Sequence, residues 1–133
     1  MRSVIEEGEY SLFYFSGACS HAILKTPKPE DFRVQEEHGG IITGIEPDPV
    51  SLEVADAIVA LIHPRPLYAR IDMVRDQGRP SLMELELVEP SLYLRTNPGA
   101  PGRFAAAVDA WVRGARDQNR PLSSNPPSLS SRP

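Results

Sequence analysis

The sequence predicts an α+β domain, an antiparallel sheet with helices on one face. Three observations point there. Two strand–turn–strand runs occur, Tyr10 to Lys25 and Leu67 to Val88. Two stretches, one after Asp48 and one from about Arg103 to Arg116, place apolar residues at helical spacing. Beyond Asp117 the chain turns polar and rich in proline and serine. The reading is therefore one folded unit over residues 1–116 and a disordered tail over 117–133.

In the first run, Tyr10, Leu12 and Tyr14 alternate with Ser11, Phe13 and Phe15, Ser16-Gly17 interrupts, and Ala18 to Lys25 resumes. This is the pattern of a β-hairpin with a tight turn. Phe13 and Phe15 share one face and Leu12 and Tyr14 the other, so the hairpin is expected to be buried or to cover a ligand. Thr26 to Gly44 carries Pro27, Pro29, Gly39, Gly40 and Gly44 and reads as a long loop with at most one short strand. Asp48-Pro49 opens a helix as N-cap and first helical residue. Ala55, Ile58, Val59 and Ile62 follow on one face, and Pro64 and Pro66 end it. The second strand pair is joined by Asp76 to Pro80. The last helix gathers Phe104, Val108, Trp111 and Val112 on one face.

The composition narrows the function. The chain has 133 residues, a formal net charge of −4 and 41% apolar residues. An acidic balance disfavours nucleic acid or a membrane surface as main partner, because both attract basic faces. Cys19 is the only cysteine, which rules out an internal disulfide and leaves too few ligands for a Cys/His zinc site. The acidic start, with Glu6, Glu7 and Glu9, is not a secretory signal, and no apolar run approaches a membrane span. The expectation is a soluble, cytoplasmic protein.

The most informative segment is Leu67 to Val88. Leu67, Ala69, Ile71 and Met73 alternate with Tyr68, Arg70, Asp72 and Val74, while Met83, Leu85 and Leu87 alternate with Glu84 and Glu86. A turn near Gln77 and Gly78 sets Asp72 opposite Met83 or Glu84. Placing both apolar faces on one side selects Glu84 and puts Arg70 near Glu86. Asp72, Glu84 and Glu86 then share a face. Three crowded carboxylates call for a positive charge, and a hard divalent cation such as magnesium is one solution. The other is a solvated sheet face on which Arg70 pairs with Glu86. Arg33, ahead of Gly39-Gly40, suits phosphate or oxyanion contact, or an ordinary turn. Lys25 reads as a solvated strand end, Cys19 as packing, and His21, His38 and His63 receive no ligand role.

Three segments together resemble a known family. Arg-Ile-Asp-Met-Val at 70–74 with Leu-Met-Glu-Leu-Glu-Leu-Val-Glu-Pro-Ser-Leu-Tyr-Leu at 82–94 is similar to the metal-binding signature of ATP-grasp ligases. The closest branch is that of prokaryotic glutathione synthetase and the ligases that add glutamate to a ribosomal protein. Glu9 to Lys25 resembles the preceding hairpin. Asp-Phe-Arg-Val-Gln at 31–35 with Gly39-Gly40 resembles an Asp-Phe-Arg-x-Asn…Gly-Gly stretch, with Gln35 in place of the Asn.

The resemblance implies two magnesium ions on Asp72, Glu84 and Glu86, although Glu86 stands where the wider superfamily most often has Asn. It implies contacts of Lys25, Arg33 and Arg70 with ATP phosphates, and a catalytic Arg33 facing the acyl phosphate. The implied reaction joins a small-molecule carboxylate to an amine or thiol at the expense of ATP. It also implies that the first ATP-grasp subdomain and an N-terminal substrate domain lie outside this chain. The chain alone is then expected to have little or no activity and to need a separate N-terminal half. The alternative is a non-enzymatic interaction module, or a remnant of a decayed ligase, self-associating through Tyr10, Phe13 and Phe15.

Overall fold

The computed structural model describes residues 7–28 and 40–118. Five antiparallel strands form one sheet: β1 (Glu9–Phe15), β2 (Ala18–Thr26), β3 (Ile41–Ile45), β4 (Tyr68–Asp76) and β5 (Arg79–Glu86), in the order β3-β2-β1-β4-β5. Among the described residues two helices accompany it, α1 (Pro49–Ala60) and α2 (Ala100–Gln118), with a 3-10 turn at Leu94–Thr96. The predicted α+β class and both predicted hairpins are present.

The strand order follows from composition. Leu12, Phe13, Tyr14 and Phe15 of β1 are all buried, as are Ala69 to Met73 of β4. Strands buried on both faces belong in the middle of a sheet. β3 is short, and β5 carries Pro80, Glu84 and Glu86, features that suit an edge. Both hairpins close through two residues of positive φ, Ser16-Gly17 (49° and 85°) and Gln77-Gly78 (52° and 78°). Such turns match the right-handed twist of the flanking strands.

Helix α1 begins as its sequence predicts. Asp48 caps it, accepting from Ser51 N at 3.0 Å and from Ser51 Oγ at 2.6 Å, and Pro49 opens the first turn. Ala55 and Val59 face Leu12, Tyr14, Ala22, Ala69, Ile71 and Met73 in the main core. Full burial of a side chain of this kind contributes about 1.5–3 kcal/mol. Helix α2 meets the opposite face, where the Phe104 ring centre lies 5.0 Å from that of Phe15. The helices are thus shared between the two faces rather than gathered on one. The predicted apolar stripe of α2 is used only at its start: Phe104 and Val108 are half-buried, while Trp111 is 56% exposed.

Phe13 and Phe15 are buried within the sheet's own packing, so they are not surfaces for self-association. Among the described residues the exposed large apolar side chains are others, Leu61 and Val88 foremost, with Leu82 and Met83 on the edge strand β5. Among the described residues no helix is long and apolar enough to cross a membrane.

Candidate functional site

The face of the sheet turned away from α1 carries a row of charged side chains across four strands. Register builds it. Glu9 of β1 lies opposite Lys25 of β2, and Ser11 of β1 opposite Asp72 of β4. Asp72 lies opposite Glu84 of β5 and Arg70 opposite Glu86. This is the pairing expected for the second hairpin. It is reached through a bulge: Met73 pairs with Leu82 and Asp72 with Glu84, which leaves Met83 without a partner.

Asp72 is fully buried. Its Oδ1 accepts from Ser11 Oγ at 2.6 Å and from Arg70 Nε at 3.0 Å, and its Oδ2 from Arg70 Nη2 at 2.8 Å. Arg70 Nη2 also reaches Glu86 Oε1 at 3.0 Å. Lys25 is buried rather than solvated. Its Nζ donates to Glu9 Oε1 at 2.6 Å and stands 3.8 Å from Asp72 Oδ1. Burial opposes the charge on Arg70, but its hydrogen bonds to Asp72 and the charges of Asp72, Glu86 and Glu84 outweigh it and raise its pKa further.

The row holds four carboxylates (Glu9, Asp72, Glu84, Glu86) against two cations (Lys25, Arg70), so negative charge is in excess at its β5 end. Glu84 registers that excess. Desolvation, then the charges of Glu86 and Asp72, raise its pKa above the usual carboxylate value, against the opposite pull of Arg70. Oxygen-only, negatively charged donors suit a hard cation, so the chemistry of Glu84 and Glu86 fits magnesium. Asp72 differs, because both of its oxygens are occupied by Ser11 and Arg70. Among the described residues no three acidic, histidine or cysteine side chains converge closely enough to hold a metal as they stand.

Of the residues singled out from sequence, Lys25, Arg70, Asp72, Glu84 and Glu86 are brought together. Arg33 lies outside the described residues, as does Gln35. Glu9 and Ser11 were not singled out. The period-two alternation that places Phe13 on this face places them there too.

Beside the row, His21 is buried and stacked on Phe13, with ring centres 4.4 Å apart. Its Nε2 lies 2.8 Å from the Leu92 carbonyl oxygen, to which it donates, and its Nδ1 lies 2.8 Å from Ser20 Oγ. Arg103 Nε of α2 donates to the same Ser20 oxygen at 3.0 Å. This network ties the segment that follows Glu86 to the sheet and to α2. Burial, and then the Arg103 charge, lower the His21 pKa, with the Leu92 hydrogen bond acting the other way.

Comparison with known proteins bears on the fold. No protein-family model matches the chain, and no curated protein matches it. Solved structures do. D-cycloserine synthetase DcsG is similar over 84% of this chain and 40% of its own, with a TM-score of 0.72 and 29% identity. D-alanine–D-alanine ligase from Bacillus anthracis, complexed with ATP, is similar over 83% of this chain and 40% of its own, with a TM-score of 0.57 and 19% identity. A second structure of that ligase gives a TM-score of 0.53 at 18% identity, a likeness of fold alone. The chain spans about 40% of the length of these ligases. With its five-stranded antiparallel sheet and its helices, the chain has the fold of the C-terminal part of the ATP-grasp ligases.

Proposed function

We propose that the chain supplies one wall of the active site of an ATP-dependent ligase that joins a small-molecule carboxylate to an amine or thiol through an acyl phosphate. The observation that carries this reading is the shared face of Lys25, Arg70, Asp72, Glu84 and Glu86 on an ATP-grasp fold. The B. anthracis ligase was solved with ATP, which supports nucleotide binding here.

Phosphoryl transfer is governed by positioning and electrostatics, and the row supplies both. Arg70 and Lys25 are fixed cations, preorganised by Asp72 and Glu9 to meet phosphate oxygens. Asp72, Glu84 and Glu86 would hold the magnesium, for which two ions are expected. Bound there, the metal would offset the charge of the phosphates. In the structure Asp72 serves Arg70, so holding Arg70 and holding a cation are competing uses of one carboxylate. Arg33 is assigned to the acyl phosphate by its place in the motif.

Calorimetric titration with a non-hydrolysable ATP analogue and magnesium tests the reading. Magnesium-dependent binding should be lost in Asp72→Asn and in Glu84→Gln. Binding that both variants retain would sink it. Ligase activity, read as ATP-dependent phosphate release, is proposed for the chain combined with the remaining part of such a ligase, and little is expected from the chain alone.

A further inference from the structure

On the other side of the sheet from the charged row lies an open groove of about 670 Å³. That volume falls within the range of small-molecule sites. The β1–β2 turn forms one wall, the C-terminal half of α1 another, and the segment from Ile62 to Arg65 the third. Ala18, Leu52, Val59 and Ile62 supply the apolar part of its surface.

Two exposed side chains of opposite charge, Asp56 and Arg65, line it as well. Asp56 is held in place by Tyr14, whose hydroxyl donates to Asp56 Oδ1 at 2.6 Å. Tyr14 is buried in the main core, so its aim is fixed from below. Asp56 makes no ion pair among the described residues, and its second oxygen remains available. Arg65 lies over the turn: a Cβ at Gly17 would stand 3.1 Å from its Nε. Pro64 and Pro66 flank it, and Ser16 N donates to the Leu67 carbonyl at 2.8 Å, tying that segment to the turn. Arg65 also has no ion-pair partner among the described residues. Cys19 lines the groove as a closed thiol, because burial and then the Asp56 charge push its pKa up to about 11. It serves as wall, not nucleophile.

We propose that this groove binds a small zwitterion with an apolar body, its ammonium on Asp56 and its carboxylate on Arg65. Asp56, oriented by Tyr14, and Arg65, beside the β1–β2 turn, are exposed charges of opposite sign on one groove; together they complement such a molecule, and the apolar part of the lining takes its side chain. The site is separate from the carboxylate row and does not depend on the ligase reading.

The test is an amide-resolved NMR titration of the chain with leucine, beside leucinamide, which lacks the carboxylate, and 4-methylpentanoate, which lacks the ammonium. Leucine should shift the Gly17, Ala18 and Cys19 signals saturably, with a dissociation constant of order 1 mM. Both analogues should bind at least roughly tenfold more weakly, as expected for loss of a charged hydrogen bond. Asp56→Asn keeps an oxygen for Tyr14 and should weaken leucine binding by a similar factor, as should Arg65→Gln. No saturable shift with leucine, equal affinity for the three probes, or unchanged affinity in Asp56→Asn would each overturn the proposal.

Discussion

Asp72 has exchanged water for three protein donors, and its neighbours are therefore unequal in worth. Arg70 supplies the countercharge and two of the contacts, while Ser11 supplies one neutral hydrogen bond. Arg70→Leu should destabilise the fold by about 3–5 kcal/mol, because it removes the close partner of a buried charge and leaves only Lys25 at 3.8 Å. Ser11→Ala should cost only about 1–3 kcal/mol. Urea denaturation of both variants checks the order, and equal losses would mean that the Arg70 pair is not what holds Asp72. At this scale the sequence was partly legible. Alternation alone gathers Arg70, Asp72, Glu84 and Glu86 on one face. It does not show that Lys25 is buried beside Asp72, because that depends on β4 lying next to β1, a matter of long-range packing.

Among the elements, the segment after β5 is held by a buried neutral imidazole. His21 is enclosed by Phe13, Phe15 and Tyr93, by the Leu92 carbonyl, and by Ser20 with Arg103 behind it, the nearest charge being positive. Its folded pKa lies below the ordinary value of 6.5, so below that pH the unfolded chain binds more protons than the folded one. Stability should hold at pH 7 and above, then fall as pH drops through about 6.5 towards the folded value. The difference in melting temperature between the native chain and His21→Gln, followed from pH 7.5 to about 5, isolates this group. A difference that does not shrink as the pH falls would contradict it. Helix α1 was legible in sequence, since Asp48-Pro49 is a local signal. The role of His21 was not, because its partners Leu92 and Arg103 are distant in sequence.

Across the whole molecule, the sheet is unevenly covered. Ile71 and Leu85 are directly paired, yet Ile71 is fully buried between β1 and β5 while Leu85 on the edge is 36% exposed. Ile71→Ala should cost about 2–5 kcal/mol, the range for a buried aliphatic truncation. Leu85→Ala should cost about 1 kcal/mol or less. Chemical denaturation of the two variants measures the asymmetry, and similar losses would place the core further towards β5 than this structure does. The α+β class was readable from periodicity. The division of the helices between two faces was not, because the α2 stripe says that it packs but not on which side.

The unpaired Met83 has a consequence for how this hairpin tolerates change in length. A strand keeps time in twos, and β5 contains one extra beat between Leu82 and Glu84. Deleting Met83 would restore an unbroken count and leave both glutamates facing Arg70 and Asp72. Deleting Leu85 instead would put Glu84 and Glu86 out of phase and turn one of them to the opposite side. The spacing between turn and carboxylates thus has slack at Met83, while the spacing between the two carboxylates has none.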